Sequence, residues 1–120
     1  MTKYGIPQDE WDKVKEQVRQ ILIERARVRG LIPYSELVGQ IQAVRFEAHD
    51  IRLFHLLGEI SSEEDAARRG MLSAVVVHKH GDMQPGPGFF ELAQALGRDT
   101  SDILKCWVEE LRKVHAQWST

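Results

Sequence analysis

From Pro7 to Arg29, apolar side chains return at steps of three and four through Trp11, Val14, Val18, Ile21 and Leu22, which predicts a long amphipathic helix. Its ends agree with the pattern. Pro7 suits a first helical position, Asp9, Glu10 and Asp12 complement the positive end of the helix dipole, and Arg25, Arg27 and Arg29 complement the negative end before Gly30. Leu31-Ile32 ahead of Pro33 leaves room for a very short extended piece. Tyr34 to Val38 then opens a second, short helix with Leu37, Val38 and Ile41 inward. A third helix is expected from about Phe46 to Leu57, with Phe46, Leu53 and Leu57 on one face and Arg45, His49 and Arg52 on another. Ser61-Ser62-Glu63-Glu64 reads as a capping box that opens a further turn, closed by Gly70.

Met71 to His80, with three consecutive valines, is the one convincing strand. Gly81 to Gly88 follows with two Pro-Gly steps, which cannot sit inside a sheet and predict an ordered turn. Phe89, Leu92, Ala93 and Leu96 give a short helix stopped by Gly97. Asp99 or Thr100 caps a last helix, with Ile103, Leu104, Trp107, Leu111, Val114 and Trp118 along one stripe. The expected fold is mainly α with a small β element: a winged helix-turn-helix-like domain with two additional C-terminal helices. Residues 1–120 form a single domain, with 30–95 as its winged-helix-like core and 7–29 and 99–118 as packing helices.

The run Ile32-Pro33-Tyr34-Ser35-Glu36-Leu37-Val38, a helix ending in Leu57-Gly58-Glu59-Ile60, a valine-rich strand and a Gly-Pro-Gly turn together resemble the DNA-binding domain of the alkylguanine-DNA alkyltransferases. The resemblance covers about residues 30 to 95 and implies that Tyr34 contacts a phosphate and that Arg52, within one place of register, props the duplex. Met71-Leu72-Ser73-Ala74 stands where that family carries its Pro-Cys-His-Arg segment, so alkyl transfer to a cysteine is not implied. Most of the chain is also similar to a group of short bacterial proteins that share its Met-Leu-Ser-Ala-Val-Val-Val and Pro-Gly-Pro-Gly-Phe-Phe-Glu-Leu-Ala runs, a likeness that assigns no activity.

Composition narrows the classes. Apolar residues at 42% and charged residues at 28% are ordinary globular usage, which excludes a disordered or low-complexity chain. One cysteine excludes an internal disulfide and a closed cysteine zinc site, and a reducing cytoplasm is the expected setting. No apolar run reaches the length of a membrane span, and residues 1–10 lack the basic start and apolar core of a signal peptide. A net charge of -2 means that any nucleic-acid binding must come from a local patch.

Arg45, His49 and Arg52 are the candidate groove and phosphate contacts, with Tyr34 and the wing residue Lys79 as further phosphate contacts. The plainer account of the arginine stripe is a solvated helix face carrying Glu47 and Asp50 as well. His78 and His80 flank Lys79 and point the same way in a regular strand, but a metal needs a third ligand from His49, His55 or Asp82, and none is expected. Gly86 and Gly88 are read as residues a turn requires, with Phe89 and Phe90 pinning the loop to the core, and no cofactor is expected because no Lys, Ser or Thr follows the glycines. Cys106 falls off the last helix's stripe and is expected to be partly exposed, without a histidine to activate it. Glu63-Glu64 and Glu109-Glu110 read as dipole or solubility residues.

The leading expectation is a non-catalytic, small winged-helix-like protein that binds double-stranded DNA weakly or as part of a homodimer, with no membrane partner. The alternative is an adaptor or inhibitor whose Arg25, Arg29, Arg45 and Arg52 meet an acidic protein. An enzyme built on His78, His80 and the Pro-Gly-Pro-Gly loop ranks last.

Overall fold

The computed structural model describes residues 2–42, 44–47, 50–79 and 83–119. It is mainly α-helical, with five α-helices and two small two-stranded sheets among those residues. The chain opens with a hairpin of β1 (Thr2–Lys3) and β2 (Ile6–Pro7), which the pattern of apolar residues gave no reason to expect. Its turn is Tyr4-Gly5, both at positive φ (53° and 80°), the geometry that matches the twist of a two-residue hairpin. Tyr4 stacks on His55 at 4.6 Å between ring centres, which pins the hairpin to a later helix.

Helix α1 (Gln8–Arg27) follows the predicted span to within the fraying of its ends and buries Trp11, Val14, Val18, Leu22, Ile23 and Ala26. Strand β3 (Ile32–Pro33) and helix α2 (Tyr34–Gln40) also lie where expected. Helix α3 (Ile51–Ala66) does not. It begins at a cap on Asp50, whose carboxylate accepts the Arg52 amide proton at 2.9 Å, and it runs unbroken through the place where a new helix was expected. Leu53, Leu56, Leu57 and Ile60 form its buried stripe, and Ser61 and Glu64 continue that stripe instead of opening a capping box. Phe46 is buried too, but from the segment ahead of the helix.

The expected strand 71–80 is mostly a 3-10 turn, Leu72–Val75, followed by two residues of strand β4 (Val76–Val77). Every residue from Met71 to Val77 is buried, with α1, α3 and the last helix packed around the turn. A buried backbone needs partners for its polar groups, and side chains supply them here in place of a neighbouring strand. Glu110 accepts the Met71 amide proton at 2.8 Å, Ser61 accepts that of Ser73 at 3.0 Å, and the Trp107 indole donates to the Ala74 carbonyl at 2.8 Å. Only Val76 and Val77 reach a strand, pairing in parallel with Ile32 and Pro33.

Helix α4 (Pro87–Ala95) and helix α5 (Ile103–Trp118) complete the chain. The cap of α5 is Asp102, which accepts the Lys105 amide proton at 3.1 Å, while Asp99 is used in a turn with Ser101. The buried face of α5 is Cys106, Trp107, Glu110, Val114 and His115, so the expected stripe is rotated and Ile103 and Leu104 are exposed. Cys106 is therefore buried, and burial pushes its thiol pKa up. Among the described residues no helix is long and apolar enough to cross a membrane.

Candidate functional site

The arginines expected on one helical face do not share one, because α3 starts only at Ile51. Arg45 is exposed in the segment before the helix. Arg52 is held by Asp50 through bonds of 3.0 and 2.7 Å and lies over the Phe46 ring, so its guanidinium serves the start of its own helix. The Arg52 hydrogen bonds, with burial working against them, hold the Asp50 carboxyl below its ordinary range. His49, His80 and Asp82 lie outside the described residues. Lys79 is exposed just beyond β4. Of the arginines offered to an acidic partner, Arg25 is paired with Glu36 and Arg29 bonds to the Ser119 hydroxyl at 3.2 Å.

Tyr34 is buried. Its oxygen accepts the Gly86 amide proton at 3.2 Å, and its ring meets Phe54 edge-on at 5.8 Å and His78 at 5.0 Å. Burial raises its pKa, with the Gly86 bond acting the other way, so it stays a neutral phenol. The constraint on Gly86 is space and not φ, which is -71°. A methyl group there would stand 3.2 Å from the His78 Nε2 and 3.5 Å from the Tyr34 oxygen.

Around this junction the structure brings together a cleft of about 460 Å³ between α3 and α4. Its floor is buried Tyr34, Leu57, Ser73, Gly86 and Phe89, and its rim is exposed Ile51, Phe54, His55, Pro87, Gly88 and Glu91. Apolar walls with a few converging polar groups are the usual make-up of a small-molecule site. Sequence reasoning placed His78 and the Pro-Gly-Pro-Gly loop in one ranked reading, and the cleft does unite them with Tyr34. It missed Phe54, Ser73 and Glu91, and named His55 only as a metal donor. The one available signal was Gly58, an unexplained glycine among good helix formers.

The paired acids have structural roles that the sequence did not disclose. Glu64 is buried in α3 and bound by Arg69 at 2.8 and 2.7 Å and by Arg19 at 2.6 Å, while Glu63 holds Lys15 at 2.7 Å and also pairs with Arg19. The Arg69 hydrogen bond leads in lowering the Glu64 pKa, against the opposing effect of burial. For Glu63, burial opposes the charge, and hydrogen bonds from Lys15 and Arg19 outweigh it and bring the pKa down. Glu110 is buried as well, accepting from Met71 and from Arg98, which also reaches Asp65. Among the described residues no group of three or more His, Cys, Asp or Glu side chains is placed to hold a metal ion. Compared with protein-family models, curated proteins and solved structures, the chain matches none.

Proposed function

We propose that the chain is a non-catalytic regulatory module on a winged-helix-like scaffold, and that it takes a small, mostly apolar molecule in the cleft between α3 and α4. The scaffold reading is supported by the order β3, α2, α3, β4 and turn, followed by two further helices. One observation carries the ligand reading. Gly58 in the middle of α3 and Gly88 in the first turn of α4 both line the cleft, and a Cβ on either would meet nothing within 4 Å. Neither has the positive φ that favours glycine. A glycine in the middle of a helix costs about 0.5 to 1 kcal/mol relative to alanine, so at Gly58 the chain forgoes stability and keeps open space.

The test is a titration of the labelled protein with toluene, followed by amide NMR shifts. Saturable shifts at Gly58, Ser73 and Gly88 are expected. Gly58→Leu should abolish them without lowering the melting temperature. Absence of saturable shifts, or equal binding by Gly58→Leu, would overturn the reading.

A second reading, contact with duplex DNA, is favoured by exposed Arg45 just before α3 and exposed Lys79 just after β4. In a fluorescence titration at low and moderate salt, Arg45→Ala and Lys79→Ala should each flatten the salt dependence by about one counterion. Asp50→Asn frees Arg52 and should strengthen binding. No binding by the unaltered protein at low salt would end this reading.

A further inference from the structure

The polar groups of the cleft are sorted by depth. On the floor, the Tyr34 oxygen already accepts the Gly86 amide proton, and no hydrogen bond among the described residues uses the proton of its own hydroxyl. Ser73 can take the same position. Ser61 accepts the Ser73 amide proton at 3.0 Å, and the two hydroxyl oxygens stand 2.6 Å apart; when Ser61 donates across that pair, the Ser73 hydroxyl proton is left to be given elsewhere. Two buried hydroxyls therefore line one cleft, Tyr34 with a proton to donate and Ser73 with one whenever Ser61 is the donor of their pair. The rim differs, since it carries Glu91, the one carboxylate among the described lining residues, and an ionised carboxylate only accepts; the His55 and His78 imidazoles also line the cleft. Much of the remaining lining is rings and aliphatic chains, from Phe54, Leu57, Phe89 and Leu92.

The geometry points to a ligand class: a small aromatic or alicyclic molecule with a carbonyl-type acceptor at its inner end and an amine at its outer end. Bound that way, the acceptor meets the Tyr34 and Ser73 hydroxyls, the ring fills the space beside Gly58 and Gly88, and the ammonium lies against Glu91. The opposite orientation would set an ammonium against hydroxyl donors in a low-dielectric floor, where none of the described residues is a carboxylate to compensate it. This assignment rests on the cleft's being a ligand site, as proposed above.

A matched probe series separates the two ideas: toluene, benzamide, benzylamine and para-aminomethyl benzamide, each titrated by NMR into the unaltered protein. Benzamide should bind about five-fold tighter than toluene, the usual worth of one net hydrogen bond. Adding the aminomethyl group should gain about three-fold more, and Glu91→Gln should remove that gain alone. Tyr34→Phe should remove the benzamide advantage and leave toluene unchanged. Because Tyr34→Phe also strips a partner from the Gly86 amide and can unsettle the loop, orientation is read independently from nuclear Overhauser contacts in the unaltered protein. The amide end should contact Tyr34 and Ser73, and the aminomethyl end Glu91. Toluene binding with no advantage for benzamide, tighter binding of benzylamine than of benzamide, or the reversed contacts would overturn the ligand class and leave the cleft standing. Failure of all four probes to bind would overturn both.

Discussion

Trp107 shows how one side chain joins packing to backbone satisfaction. Its indole is buried against the central turn and donates to the carbonyl of fully buried Ala74. Trp107→Ala removes both the apolar volume and that donor, so a loss of about 3 to 5 kcal/mol in urea melts is expected. A loss below about 1 kcal/mol would place the indole outside the core. The apolar periodicity identified Trp107, but it did not identify Cys106 or Glu110, which share its face. The reason is local. The stripe was drawn through Ile103 and Leu104, and the first turn of α5 exposes both. A buried glutamate is legible only when its partners are known, and those of Glu110 come from Met71 and Arg98, distant along the chain.

At the level of elements, α1 and α4 were legible because Gly30 and Gly97 stop each of them close to its apolar run. α3 was misplaced because Phe46 fits the helical period from outside the helix and Ser61-x-x-Glu64 imitates a cap from inside it. Asp50 was the actual start, and Asp50→Ala should cost about 1 kcal/mol in urea melts through loss of the cap. A change within experimental error would mean that the helix end is fixed by packing alone. The expected strand failed for a different reason. Valine-rich runs favour extended chain only where a partner strand is available, and here three side chains satisfy the backbone instead. The cleft was the least legible part. It arises from the meeting of α3 and α4, and a glycine that faces empty space looks in sequence like any other weak helix residue.

Over the whole molecule, the charged residues that composition counts as surface form a web between α1 and α3, with Lys15 and Arg19 on one side and Glu59, Glu63 and Glu64 on the other. The carboxyl pKa values of all three glutamates lie below the ordinary range. A group whose folded pKa is below its unfolded value stabilises fully above the unfolded value, and that contribution is lost as pH falls through the folded one. The urea midpoint should therefore hold from neutrality to about pH 5 and fall steadily towards about pH 3. Glu64→Gln should lower stability near neutrality by about 1 to 3 kcal/mol and make the acid fall shallower, since half-buried Arg19 and the more exposed Arg69 lose a charged hydrogen-bond acceptor held at a buried position. An unchanged acid slope would remove Glu64 from the account.

The central turn also bears on how the chain is made. Met71 to Val77 is an uncharged apolar run of the kind that pairs with copies of itself when exposed. The groups that cover and satisfy it, Trp107 and Glu110, are synthesised later, 33 and 39 residues beyond the groups they bond. Until α5 has emerged and docked, this apolar segment is without two of the residues that cover it, so the interval before α5 docks exposes a nascent chain to misassembly.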